Sequence, residues 1–161
     1  MITTRGGSAF VLPIGLLAFC MVMPACEGRR ADKAYQHSDY ERTVKELRYL
    51  ADEGDPRAQY DLGVLYDQGR GVPKNSIEAR AWYTLAAEQG EPRAQYNLGL
   101  MYANGEGVPQ NYVEAYYWIS LSAARGNAHA VDARDYYAGL MTADQLARAK
   151  LLLAQRQPPK Q

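Results

Sequence analysis

The residues from Gly54 to Gln89 return from Gly90 to Arg125, a period of 36 positions over which 19 residues are identical. A chain that copies itself at this interval is built from stacked copies of one supersecondary unit, because a single copy cannot bury its own apolar face. The most distinctive part of the copy is "GRGVPKN" at Gly69 to Asn75, answered by "GEGVPQN" at Gly105 to Asn111. The phase also runs outward. Gly126 follows Gly90 by the same step, and "LADEG" ending at Gly54 answers "LAAEQG" ending at Gly90. Two full units, 54–89 and 90–125, are therefore flanked by half units at 39–53 and 126–138.

Each unit reads as two helices. Asp55 is placed to cap the first, with Pro56 at the opening helical position, where a missing N–H costs nothing. Ala58, Leu62, Leu65 and Tyr66 follow at helical spacing, and Gly69 ends the helix in the left-handed region. Asn75 with Glu78 has the spacing of a capping box for the second helix, whose expected buried stripe is Ala79, Trp82, Leu85 and Ala86. The second unit repeats these signals at Gly105, Asn111, Glu114, Ala115, Trp118 and Leu121, with Glu91 a poorer cap than Asp55. A phosphate-binding glycine loop needs a preceding strand and a further glycine or Gly-Lys, and neither is present. The corner is instead a turn between antiparallel helices: the glycines permit positive φ, Val72 fills the gap between helix ends, and Pro73 stops the first helix.

Ser38 with Glu41 suggests a capping box opening a helix from Tyr40 to Glu53, after a linker at 26–38. Asn127 is expected to cap a helix running to Ala138. Thr142 with Gln145 opens a final helix over 142–157, stopped by Pro158 and Pro159. Leu146, Ala149 and Leu153 share one side of it, as suits a helix that covers the end of a repeat array.

The set Ala58, Leu62, Gly63, Tyr66, Gly69, Gly71, Val72, Asn75, Ala79, Trp82, Tyr83, Ala86, Ala87 and Gly90 resembles the Sel-one-like repeat, a relative of the tetratricopeptide repeat with a longer turn. The second unit matches apart from Ile119 at the place of Tyr83 and Ser122 at that of Ala86. The resemblance spans 39–157 and implies an all-α fold, a right-handed α-α superhelix of antiparallel helix pairs with a C-terminal capping helix. It also implies adaptor or scaffold roles in protein complexes. One bacterial branch, linked to penicillin binding, carries a cysteine pair in each repeat; here the repeats have no cysteine.

The N-terminal segment differs from the rest. Arg5, the apolar run Ala9 to Met23 and the small residue Ala25 follow the layout of an export signal over 1–25, with an uncleaved anchor as the alternative. Cys26 after Met-Pro-Ala resembles a bacterial lipoprotein junction, although Met23 and Pro24 depart from that pattern; lipidation and plain cleavage both stand as readings. These features place the expected site of action in the periplasm or envelope, with membrane contact only through the signal or a lipid. Cleavage after Ala25 leaves 136 residues bearing 17 basic and 18 acidic groups. Such a balance lacks the footprint of a nucleic-acid binder.

Catalytic signatures are missing from the sequence. His37 and His129 have no metal-ligand partner at zinc spacing, and no nucleophile sits in a strained turn. Glu78 and Glu114, although duplicated, fall at capping positions. The expected activity is therefore a non-catalytic interaction module without cofactor or metal, taking a protein or peptide partner. The alternatives are an envelope enzyme or inhibitor acting on cell-wall or β-lactam substrates, and a purely structural assembly part. In related solenoids the first helix of each pair lines the concave face. On that basis Arg57, Tyr60, Asp61, Val64 and Asp67 form the expected contact surface, continued one unit later by Arg93, Tyr96, Asn97 and Leu100. Arg with Tyr suits capture of a peptide or carboxylate. The competing reading pairs Arg57 and Arg93 with acids of a neighbouring helix and packs Tyr60 and Tyr96 inside.

Overall fold

Asp55 and Pro56, Asn75, Glu91 and Pro92, Asn111 and Thr142 all stand where the sequence places helix starts, and a computed structural model of the chain shows helices opening there. It describes residues 25–156, with side chains from residue 39 onward. Among the described residues there are seven helices and no strand. They are α1 (Ala25–Asp52), α2 (Pro56–Gln68), α3 (Ser76–Glu88), α4 (Pro92–Asn104), α5 (Tyr112–Ala124), α6 (Ala128–Leu140) and α7 (Ala143–Gln155). Residues from Tyr35 onward form one compact unit, to which the repeats belong. Residues 1–24 of the expected export signal over 1–25 lie outside the described residues, as do Pro158, Pro159 and the side chains of Cys26 and His37.

The caps are chemically uneven. Asp55 Oδ1 accepts from the N–H groups of Arg57 and Ala58 at 2.8 and 2.9 Å. Glu91, one methylene longer, accepts only from Arg93 N at 3.4 Å, as expected of the poorer cap. Asn75 and Asn111 cap α3 and α5 through Oδ1. Thr142 and Gln145 complete both halves of their capping box.

Four expectations need correction. The first helix does not open at Tyr40: α1 runs unbroken from Ala25 to Asp52, so Ser38 lies inside a helix and caps nothing. Beyond Gly28, neither glycine nor proline interrupts this stretch before Gly54, and its Ala, Arg, Lys and Glu favour helix. The Asn75–Glu78 and Asn111–Glu114 boxes are only half formed. The Asn75 and Asn111 N–H groups already donate to the Tyr66 and Tyr102 carbonyls at 2.9 and 2.8 Å, leaving no donor for the glutamates. Asn127 gives α6 no side-chain cap, because its Nδ2 donates to Ser122 Oγ at 3.0 Å. Leu85 is 45% exposed, and Tyr83 takes its place in the core at 2%.

Two buried clusters fill the stack. One joins Val44 and Ala51 of α1 to Ala58, Leu62 and Leu65 of α2, with Val72 of the corner packed against it. The other joins α3, α4 and α5 around Tyr83, Leu98, Met101, Tyr117 and Trp118, and Leu152 and Leu153 of α7 cover it. Burying side chains of this size contributes on the order of 1.5–3 kcal/mol each before ordering costs. Small residues set the helix spacing: a Cβ on Gly99 would lie 2.5 Å from Ile119 Cγ1 and one on Gly63 2.7 Å from the Tyr83 ring.

Successive units are pinned by buried glutamines. Gln59 Nε2 donates to the Ala51 carbonyl at 3.1 Å, and Gln95 repeats this on Ala87 at 3.0 Å. The corners serve the same purpose. Gly69 and Gly105 end their helices with φ of 67° and 74°, while Gly71 and Gly107 press on the preceding unit. Arg80 Nε adds a bond to the Gly107 carbonyl at 3.2 Å. This packing supports a geometric role for the corners.

Candidate functional site

The opening turns of α2, α4 and α6 lie in one phase of the repeat, and stacking brings them side by side. Between them runs an open groove of about 680 Å³. Its floor and walls come from Arg57 and Tyr60 of α2, from Glu91, Pro92, Arg93, Tyr96 and Asn97 at the start of α4, and from the segment Arg125 to His129 that leads into α6. Helical spacing makes this placement unavoidable, since positions two and five of each first helix share a face.

Five of the nine expected contact residues therefore meet in the groove: Arg57, Tyr60, Arg93, Tyr96 and Asn97. Asp61 is exposed beside it, and its carboxyl is pushed up by burial, with Arg93 opposing. Val64 packs against the second core cluster, and Asp67 and Leu100 are half-buried outside the groove lining.

The arginines behave differently from each other. Arg93 places its guanidinium carbon 4.3 Å from the Tyr60 ring centroid, a cation–π contact between consecutive units worth about 0.5–1 kcal/mol at a partly exposed site. Its Nε donates to Glu91 Oε1 at 2.7 Å, and this bond holds the guanidinium above its usual basicity. The acid that pairs Arg93 is thus two residues away in the chain, not on a neighbouring helix. Arg57 is exposed and makes no direct ion pair among the described residues, but its charge, like that of Arg93, acts on the Asp61 carboxylate. Arg125 Nη1 donates to the Gly90 carbonyl at 2.6 Å, which fixes the stem at the groove's far edge.

Behind the groove, the rings of Tyr60 and Tyr83 lie 5.8 Å apart, and the Asn97 side chain favours ionisation of both hydroxyls. Burial pushes both hydroxyls above the ordinary phenol range, with Arg93 and Asn97 pulling Tyr60 back. These contacts hold the Tyr60 ring in one orientation as a platform.

Glu91, Arg125, Asn127 and His129 also line the groove and were not among the expected contacts. A signal for three of them was present: positions 55, 91 and 127 share a phase, as do 89 and 125. The phase fails to show that the third opening turn completes the groove, because α6 diverges from the repeat after Gly126.

The family model for the Sel1 repeat matches residues 56–91 and 92–127, two residues later than 54–89 and 90–125 and with the same period. A crystal structure of a Sel1 repeat protein from Oxalobacter formigenes is 42% identical over 57% of this chain and 69% of that one, with a TM-score of 0.56. The chain belongs to the Sel1 repeat family. The crystal structure of c5321, described as a protective antigen of uropathogenic Escherichia coli with an SLR fold, is 33% identical over 81% of this chain with a TM-score of 0.70. This Sel1 repeat chain spans 30% of the length of that protein. No curated protein matches the sequence.

Sel1 repeat proteins generally mediate protein–protein interaction and are typically non-catalytic scaffolds. The helical solenoid seen here is the fold of that family. Among the described residues no group of His, Cys, Asp or Glu is arranged to hold a metal, and no helix is long and apolar enough to cross a membrane.

Proposed function

We propose that this Sel1 repeat chain is a non-catalytic adaptor of the bacterial envelope whose groove over α2, α4 and α6 takes a segment of another protein. The observation that carries the reading is the convergence of Arg57, Tyr60, Arg93, Tyr96 and Asn97, from two repeats, on one open surface. Aromatic and arginine side chains dominate binding energy at protein interfaces, where one face of the ring or fork is desolvated by the partner. The Tyr60 platform is held by Arg93 and by the Tyr83 ring before any partner arrives, so little ordering cost attaches to it.

The envelope location rests on the N-terminal layout: Arg5, the apolar run to Met23 and the small Ala25 before Cys26. A photo-crosslinking side chain at Tyr96 tests the binding surface in living cells, with Leu151, 57% exposed on α7, as the control position. A discrete adduct from position 96 and none from 151 is expected; equal labelling from both would remove the groove as the binding surface. Mass analysis of the N-terminus in membrane and periplasmic fractions tests export, and an acylated Cys26 would add a lipid anchor.

A further inference from the structure

We infer that the occupant of this groove is an acidic peptide, with a carboxylate seated between Arg57, Arg125 and the open first turn of α6; the inference rests on the binding-module reading above. The whole chain is electrically balanced, with 18 basic and 18 acidic residues, but the groove is not. Arg57, Arg93, Arg125 and His129 line it against the single carboxylate of Glu91. Arg93 and Glu91 satisfy each other at 2.7 Å. What remains is cationic: Arg57 makes no direct ion pair among the described residues, although its charge reaches Asp61 beside the groove, and Arg125 uses one N–H on the Gly90 carbonyl while keeping its charge.

The repeat phase shows where a carboxylate belongs. Positions 55, 91 and 127 are successive steps of 36, and the first two are acids that turn back onto their own helices. At the third step stands Asn127, whose amide is turned away to Ser122 Oγ. The first turn of α6 therefore has no side-chain cap; the Ala130 N–H donates to the Asn127 carbonyl at 3.1 Å, which leaves the His129 N–H as the position equivalent to the capped Arg57 and Arg93 N–H groups. Alone, such a turn is commonly satisfied by water. Here it opens into the groove that Arg57 and Arg125 also line, so a partner's carboxylate takes at the His129 N–H the place that Asp55 and Glu91 fill internally at the Arg57 and Arg93 N–H groups. Tyr96 and Pro92 offer apolar surface to the flanking peptide.

The test is fluorescence anisotropy on the purified chain with three labelled hexapeptides: Ala-Ala-Tyr-Ala-Glu-Glu with a free C-terminus, its C-terminal amide, and the amide with Gln in place of both Glu. The free acid should bind at least about tenfold more tightly than the Gln peptide, and its affinity should fall with added salt. Retained binding of the Glu amide assigns the seat to side-chain carboxylates, and loss assigns it to a terminal carboxylate. Arg57→Glu, at an exposed position that makes no direct hydrogen bond or ion pair through its side chain, should weaken binding about tenfold with helix content unchanged. Asn127→Asp should weaken it similarly while raising the melting temperature, because the new carboxylate caps α6 itself. Equal affinity for acidic and Gln peptides, or unchanged affinity in Arg57→Glu, overturns the acidic occupant. Tight binding kept in Asn127→Asp overturns the seat at α6. If the Gln peptide binds as well as the acid and Tyr96→Ala abolishes both, the binding-module reading stands without this inference. If no peptide binds and no adduct forms from position 96, both fall.

Discussion

Gly107 lies against the opening of α3 so closely that a Cβ on it would stand 2.6 Å from the Ser76 carbonyl oxygen. Gly71 repeats the contact one unit earlier, where a Cβ would come 2.5 Å from the Tyr40 carbonyl carbon of α1. The second glycine of each corner is therefore a joint between units, and its φ of 67° or 71° is a second reason for its identity.

Gly107→Ala should accordingly cost more than backbone strain alone. Left-handed backbone costs an alanine on the order of 1–2 kcal/mol, and displacement of the Ser76 carbonyl adds to it. Gly126 isolates the strain, since its φ is 87° and a Cβ there would meet nothing within 4 Å. Urea unfolding of the two variants should show Gly107→Ala the less stable by about 1 kcal/mol or more. Equal losses would mean that the units can slide apart at no cost.

The helix caps give a graded set of outcomes. Asn75 Oδ1 accepts from Ile77 N at 3.0 Å and Glu78 N at 3.2 Å, so Asn75→Ala should cost about 1 kcal/mol. Glu78→Gln should change stability by less than about 0.5 kcal/mol, because the exposed carboxylate completes no box. Thermal melts that found the glutamate as costly as the asparagine would restore the full capping box.

This contrast shows what the sequence discloses and what it hides. The 36-residue period, the glycine corners and the Asp-Pro and Thr-x-x-Gln starts are local or repeated signals, and they placed α2 to α5 and α7 correctly. The start of α1 was hidden because Ser38 and Glu41 have the spacing of a cap within a stretch that helix formers carry through. The half-formed boxes were hidden because the decisive bond, from Asn75 N–H to the Tyr66 carbonyl, closes the corner across nine positions. Leu85 and Tyr83 exchanged roles for a tertiary reason: Gly63 leaves room for an aromatic ring, and a helical wheel of α3 alone does not contain that fact. In the groove, Arg57 with Tyr60 and Arg93 with Tyr96 were legible from periodicity. The contribution of α6 was not, since it depends on a turn that departs from the repeat.

Gln59 and Gln95 occupy equivalent buried positions, 5% and 1% exposed, but are differently satisfied. Gln59 donates to Ala51 and accepts from Gln89 Nε2 at 2.7 Å. Gln95 donates to Ala87, and its Oε1 has no partner, since Arg125 replaces the second glutamine and turns to Gly90. Gln59→Met should therefore cost more than Gln95→Met, by about 1 kcal/mol, because only the first loses two bonds. A chemical-denaturation comparison that reversed this order would indicate that Gln95 Oε1 is satisfied in solution.

Tyr83 is 2% exposed, and burial lifts its hydroxyl well above the ordinary phenol range; Tyr60, Tyr117 and Tyr137 move the same way with burial as the leading cause. A raised folded-state value means that above about pH 10 the unfolded chain has released phenolic protons that the native chain still holds. The native state then binds more protons, ν_U − ν_N is negative, and stability falls as pH rises. The contribution is fully present below pH 10 and is lost progressively as pH climbs toward the folded-state values. Tyr83→Phe removes the most strongly shifted of these groups, so its unfolding free energy should decline less steeply than wild type between about pH 9.5 and 11. Urea midpoints measured across that interval supply the two slopes. Parallel slopes would mean that the Tyr83 hydroxyl ionises in the native state as freely as in the unfolded chain, and that burial does not keep it neutral.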